Sequence, residues 1–347
     1  MFGMELIQSK KVIKFEEVRQ VVAEQYSRNN ADTTIDMAQL RVTPELNLEV
    51  PQLGTFTMTD WSQKQLGQIL GVQWSKWFNP TIVDHATIQE EIQKRFSKTH
   101  DTRKLRTTRF PDGDPGKKNC DGYIRAVLSP TYYSIDNERV FSKLEQNFGS
   151  RVTELQFMKG HLSRTGSWGT DHSDHFTALA PDIAIAENDH VYPGIHIRNS
   201  EVGFTALTID EFLFRLVCTN GLMRREGESR LMYRQHRPIE DQEMDKKLNH
   251  VFTNAPQLWE RTRRQLLAAR TGIYIENMAT FLEEELSRLN APKYFRESAV
   301  KAFEKEPEHN VFGAIQAITR AAQDVDDMDA RFEFEALAGH LLQKHTN

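Results

Sequence analysis

The stretch from Val191 to Met223, VYPGIHIRNSEVGFTALTIDEFLFRLVCTNGLM, restricts the fold more than any other part of the chain, because a strand pattern, a turn and a helix pattern follow one another in it. Ile195 and Ile197 alternate with His196 and Arg198, a period of two that puts the isoleucines on one face of a half-buried strand. Asn199-Ser200 reads as a turn, and Val202, Phe204 and Ala206 as a returning hairpin partner. Thr208 stands three residues before Glu211, the spacing of a capping box, and Phe212, Leu213, Leu216 and Val217 recur at helical spacing. The expectation is a helix from about Thr208 that ends at Asn220-Gly221 and leads into a basic run.

On either side the pattern is mixed and then helical. Val18, Val21, Val22 and Tyr26 form the stripe of a helix over about 15–26, and prolines interrupt short strands around 40–50. Thr59 or Asp60 caps a helix carrying Leu66, Ile69 and Leu70; with 75–78 it suggests a helix-turn-helix, against which two merely packed helices without base-reading arginines are weighed. Ile88, Ile92 and Phe96 mark a helix over 84–96. Residues 106–110 and 123–128 read as strands joined through a Pro- and Gly-rich turn, and a helix containing Val140, Phe141, Leu144 and Phe148 follows. The GSWGTDHSDHF segment reads as loop. Beyond Ile239 helices are expected at about 240–252, 258–285 with a break at Gly272, 294–305, 311–324 and 331–344. These patterns predict an α+β fold, a mixed or antiparallel sheet core with flanking helices and a predominantly helical C-terminal region. The corresponding division is an N-terminal helical arm (1–40), a mixed core (41–238) and a helical region (239–347) packed on the core or used in assembly.

A formal charge of −5 over 347 residues excludes a histone-like excess of positive charge but leaves room for a basic groove. Two cysteines, Cys120 and Cys218, are too few for a disulfide framework or a cysteine-based zinc site and fit a reducing interior. The apolar pattern around Cys218 reads as core rather than nucleophile. No apolar run reaches the length of a membrane span, and the first residues lack a signal-peptide core, so a soluble intracellular protein with no membrane partner is expected. Neither a phosphate-binding loop nor a G-x-S-x-G elbow occurs, which argues against ATP hydrolysis and a serine-hydrolase mechanism.

Two residue groups carry candidate chemistry. Arg103, Lys104, Arg106, Arg109, Lys117, Lys118 and Arg125 interleave with Tyr123, Tyr132 and Tyr133; cations hold a phosphate backbone while aromatic faces stack on bases. Arg224, Arg225, Arg230, Arg234 and Arg237 supply a second phosphate-contacting edge. Solvated loops and ordinary salt bridges are the competing account of both. Asp171, His172, Asp174 and His175 form the densest metal-like cluster, although they lack a pattern such as HExxH; a hydrophilic loop held by local hydrogen bonds competes with the metal reading.

The segments YIRAVLSPTYYSIDN (123–137), PGIHIRNSEVGFTALTIDEFLFRLVCTNGLM (193–223) and NVFGAIQAITRAAQ (310–323), in that order, resemble a widespread family of phage- and plasmid-like proteins carrying a domain of unknown function. That resemblance implies a mobile-element setting in the cytoplasm of a bacterial host, with recombination, replication or interference with host defence as contexts. It assigns no catalytic residue. The expected function is non-sequence-specific DNA binding, single-stranded DNA foremost, extending to annealing by an oligomer and requiring no cofactor. The alternatives are a divalent-metal-dependent nuclease centred on the Asp/His cluster, or a structural component that contacts a host or phage protein.

Overall fold

The computed structural model describes residues 12–73, 83–110, 119–158, 174–180, 183–186, 189–215, 220–224, 231–233 and 240–346. Within them the chain forms two sheets and a C-terminal set of helices, a mixed and largely antiparallel α+β architecture. Its strands in chain order are β1 (Val12–Lys14), β2 (Thr33–Asp36), β3 (Arg41–Val42), β4 (Leu48–Val50), β5 (Gly54–Met58), β6 (Thr102–Arg109), β7 (Gly122–Leu128), β8 (Gln156–Met158), β9 (Asp174–Leu179), β10 (Ile183–Ala186), β11 (Asp189–Asn199), β12 (Leu207–Arg215), β13 (Asn220–Arg224) and β14 (Leu231–Tyr233). The helices are α1 (Phe15–Arg28), α2 (Asp60–Ile69), α3 (His85–Lys98), α4 (Asn137–Phe148), α5 (Asp241–Thr271), α6 (Met278–Arg288), α7 (Lys293–Lys305), α8 (Val311–Gln323) and α9 (Met328–Thr346).

The six-stranded sheet runs β2-β6-β7-β5-β4-β3, antiparallel except at the β5–β7 pair. Its core joins Phe56, Leu105 and Val127 to Leu66 of α2 and to Ile88, Ile92 and Phe96 of α3. The helix starts were legible because their caps are local. Thr59 Oγ1 accepts from the Ser62 amide at 3.1 Å, and Asp84 Oδ1 from the Thr87 amide at 2.9 Å.

The eight-stranded sheet runs β1-β8-β9-β11-β12-β13, with β10 on β11 and β14 on β12. Both of its faces are covered. One carries Phe176, Ile195, Ile197 and Ile209 against Phe15, Val18 and Val22 of α1, Phe141 and Leu144 of α4, and Leu248 and Trp259 of α5. The other carries Leu179, Phe212 and Met223 against Phe332 and Ala336 of α9.

That double covering overturns the helix expected from Thr208 to Asn220. Residues 207–215 are instead β12, paired with β11 from Val191↔Arg215 to Arg198↔Thr208, and Asn220-Gly221 open β13 rather than close a helix. A strand buried on both faces shows no alternation, so a run such as TIDEFLFR looks as helical as it does extended. Val202, Phe204 and Ala206 lie in the turn between β11 and β12 instead of forming a hairpin partner. Gly203 in that turn has φ +79°, a backbone conformation that favours glycine.

Beyond residue 240 the helical expectation holds. α5 runs unbroken through Pro256 instead of dividing near residue 252, and the break at Gly272 is where the sequence placed it. The helices α6 to α9 form a further core around Leu282, Phe295, Phe312, Ile315 and Leu341, which also takes in Leu213 of β12, Leu222 of β13 and Leu266 of α5. Among the described residues no helix is long and apolar enough to cross a membrane.

Glu285 ties α6 to α9, accepting from Lys344 Nζ at 2.8 and 2.6 Å and from Arg288 Nη1 at 2.7 Å. Burial alone would raise its carboxyl, but the Lys344 bonds, with the charges of Lys344, His345 and Arg288, outweigh burial and hold it below the usual range. A depressed folded-state value contributes stability above the unfolded pKa, and that contribution is lost as pH falls through the folded one. Glu285→Gln is therefore expected to destabilise by about 1 kcal/mol at neutral pH, a modest figure because Lys344 is half exposed. Denaturant unfolding at neutral and acidic pH checks this; a deficit that does not shrink in acid contradicts the assignment.

Candidate nucleic-acid interface

β6 and β7 hold six of the ten residues of the first basic and aromatic group, and the bonding between these two strands decides where their side chains go. Arg106 pairs with Ala126 and Thr107 with Ile124, which leaves Arg125 unopposed in a bulge. Arg125 is directed into the seam between the two sheets, where its Nη2 donates to Glu201 Oε2 at 2.8 Å and its Nη1 to Asn29 Oδ1 at 3.1 Å. Arg106 enters the same seam, donating to Asp32 Oδ1 at 2.9 Å, Asp136 Oδ1 at 2.5 Å and the Glu201 carbonyl at 2.5 Å.

The far side of the seam comes from the β11–β12 turn and the start of α4. Glu201 Oε1 accepts from the Asn137 amide at 2.8 Å, and Asn137 Nδ2 donates to Asp174 Oδ2 at 2.7 Å. Asn199 Nδ2 bridges Asn137 Oδ1 and the Ile135 carbonyl. Burial disfavours every charge here, yet the two arginines hold the Glu201 carboxyl below its usual range. At Asp136 burial prevails over Arg106, and that carboxyl is raised. Burial would lower the Arg106 guanidinium, but Asp136, Asp32 and Glu201 outweigh it and raise it.

Three residues expected on an exposed track are therefore buried: Arg106, Arg125 and Tyr132, the last only 1% exposed with its phenol donating to the Ser200 carbonyl at 3.3 Å. Burial pushes the Tyr132 phenol up. Arg103 pairs with Asp101, and Lys104 donates to the Tyr132 carbonyl. Tyr133 lies beneath the Arg139 guanidinium, 6.0 Å from ring centroid to Cζ. Arg109 is exposed, its Nη2 3.2 Å from the Ser27 carbonyl that it bonds. On the other face of the hairpin end the half-buried Phe110 and Tyr123 meet edge to face, centroids 4.8 Å apart. Lys117, Lys118, Arg225, Arg230, Arg234 and Arg237 lie outside the described residues, and of Arg224 only the backbone in β13 is described.

Of the Asp/His cluster, Asp171 and His172 also lie outside the described residues. Asp174 and His175 belong to β9 rather than to a loop, and as strand neighbours they face opposite sides of the sheet. Asp174 joins the seam, whereas His175 lies under α9. There His175 Nε2 is 3.3 Å from Asp329 Oδ1, His175 Nδ1 is 3.3 Å from His196 Nε2, and His196 Nδ1 is 2.9 Å from Thr177 Oγ1. Arg198 Nη2 forms an ion pair with the same Asp329 oxygen at 2.7 Å. All four ring nitrogens thus lie within 3.3 Å of polar atoms of the protein. Phe332 covers the pair, its ring centroid 3.8 Å from that of His196. Among the described residues no three His, Cys, Asp or Glu side chains gather as metal ligands.

Sequence reasoning missed Glu201, Asn199 and Asp329 as partners of these groups. Asp329 is 154 positions from His175 in the chain, a juxtaposition that no local pattern encodes.

Comparison with curated proteins and with solved structures finds no match. A family model described as Domain of unknown function, DUF932, matches residues 125–330, which take in Arg125, Asp136, Asn137, Glu201 and the histidine row through Asp329. Since that span is more than half of the chain, the protein belongs to the DUF932 family.

Proposed function

We propose that the protein binds nucleic acid without reading its sequence, single-stranded DNA foremost, in the phage or plasmid setting that its sequence resemblance implies. The observation that carries this reading is the end of the β6–β7 hairpin, which has exposed Arg109 on one face and the Phe110–Tyr123 pair on the other. Thr108 is opposite Tyr123 and Arg109 opposite Gly122 in the register, so the guanidinium and the ring leave the hairpin from opposite faces. A single strand passing over the hairpin end meets both, the guanidinium holding a phosphate while the ring stacks on a base. Lys117 and Lys118 lie in the sequence between the two strands together with Asp112, Asp114 and Asp121, so the positive charge of this reading rests on Arg109. Coating of single strands by this means is compatible with assisted annealing, and it needs neither a nucleotide cofactor nor a metal.

Fluorescence anisotropy with labelled single-stranded DNA, duplex DNA and RNA across a salt series tests the proposal. Binding to single strands is expected at low salt, weakening as salt rises because phosphate contacts release counterions. Arg109→Ala combined with Tyr123→Ala is expected to weaken it roughly tenfold or more with the unfolding midpoint little changed. No binding at low salt overturns the function; undiminished binding by the double variant overturns the site.

A further inference from the structure

We infer that His175 and His196 form a proton-sensitive clasp for the first turns of α9: the pair keeps one added proton with α9 seated on the sheet, and takes a second only when α9 lifts. This goes beyond nucleic-acid binding and does not depend on it. The two imidazoles are 2% and 1% exposed, and both rings pack against Phe332 of α9, the helix that covers their face of the eight-stranded sheet. His175 Nδ1 and His196 Nε2 stand 3.3 Å apart. One N–H fits between two ring nitrogens at that distance, whichever ring carries it, and two N–H groups aimed at each other do not. Two neutral rings carry two protons, and a pair with one added proton carries three; in either state a single proton can lie between the rings. A fourth proton occupies every ring nitrogen and breaks the contact.

The charges around the pair set the same limit. From β12, Asp210 stands directly opposite His196 in the register and is buried. Arg198 of β11 is ion-paired at 2.7 Å with Asp329 of α9, whose Oδ1 is also 3.3 Å from His175 Nε2. From β9 the Thr177 hydroxyl lies 2.9 Å from His196 Nδ1. Farther along α9, Arg331 and Glu335 are bonded to each other, and the half-buried His340 lies two turns beyond Phe332. Two carboxylates against one guanidinium balance a single positive charge on the pair, and burying a second in excess of them is costly. Only the start of α9 depends on the clasp, because Phe334, Ala338 and Leu341 lie in the core shared with α8. The seated form therefore holds one proton fewer than the lifted form wherever imidazoles in water are charged, below about pH 6.5. Its stability is fully present above that range and is lost as pH falls through it.

Amide hydrogen exchange of the full chain between about pH 7.5 and about pH 5, corrected for the intrinsic rate, tests the clasp; carboxylates in water titrate near about pH 4 and leave this window to the imidazoles. Opening of residues 328–336 is expected to rise up to about tenfold per pH unit below about pH 6, with α8 unchanged over the same range. His196→Gln keeps a side chain that donates and accepts but does not titrate, while His340 and His345 remain in place. It is expected to flatten the dependence to under about twofold per pH unit. In the unaltered chain, nitrogen NMR of labelled histidine is expected to show both rings of the pair becoming fully protonated together with that opening. Two fully protonated rings beneath a still-protected α9, an opening indifferent to pH, or one that stays as steep in His196→Gln overturns the clasp.

Discussion

Replacing Arg106 with methionine is expected to destabilise the protein by about 3 kcal/mol, because the substitution leaves the partly buried carboxylates of Asp32 and Asp136 without their nearest cation. Arg106 is 5% exposed and holds Asp32, Asp136 and the Glu201 main chain through three of its nitrogens. Methionine fills a similar volume, so the loss reports electrostatics more than packing. Desolvation already raises the Asp136 carboxyl with Arg106 present; removing the guanidinium raises it further, and the group neutralises more readily. The deficit of Arg106→Met is therefore expected to be largest near neutral pH and to shrink as pH falls and Asp136 takes up a proton. Wild type differs in sign at Glu201, whose depressed carboxyl contributes stability above its unfolded pKa and loses it in acid.

Two companion variants separate charge from geometry. Arg106→Lys keeps the charge but cannot reach three acceptors at once, and a loss of about 1–3 kcal/mol is expected. Adding Asp136→Asn to Arg106→Met removes one of the stranded charges, so the double variant is expected to be more stable than the single one. Denaturant unfolding measures all of these. A deficit below about 1 kcal/mol for Arg106→Met would mean that water already screens the seam, contrary to its burial.

The seam also shows what a sequence can disclose. Helices with local caps and a single apolar stripe, such as α2 and α3, were legible because cap and stripe are written within a dozen positions. The C-terminal helices were legible for the same reason. β12 was not, since burial on both faces erases the alternation that marks a strand and leaves a Thr/Glu spacing that imitates a capping box. At the site, residue type was informative and exposure was not. Arginines and tyrosines at strand spacing suit a phosphate track and a buried ion network equally well, and only the placement of Asp32, Asp136 and Glu201 distinguishes the two. Those acids come from three separate segments. The bulge that aims Arg125 at Glu201 is equally invisible, because it depends on the register of β6 against β7.

Phe141→Ala is expected to cost about 3–5 kcal/mol, and Phe141→Leu under about 1.5 kcal/mol. Phe141 is fully buried on α4 with three aromatic neighbours: Phe15 of α1 at 6.2 Å, Phe157 of β8 at 5.6 Å and Phe176 of β9 at 4.9 Å between ring centroids. Truncation opens a cavity that none of the three can fill, since Phe157 and Phe176 are fixed by the sheet and Phe15 by the turn from β1 into α1. The consequence reaches the N-terminal helix. α1 is held to the core by Phe15, Val18 and Val22 and to α4 by the Arg19–Glu138 ion pair, so loosening α4 withdraws both supports. Amide hydrogen exchange in the alanine variant is therefore expected to accelerate in α1 as well as α4, while α8, which packs in a separate core, keeps its protection. An α1 whose exchange stays unchanged while α4 opens would behave as an arm independent of the core, and its packing against Phe141 would then contribute little to the stability of either.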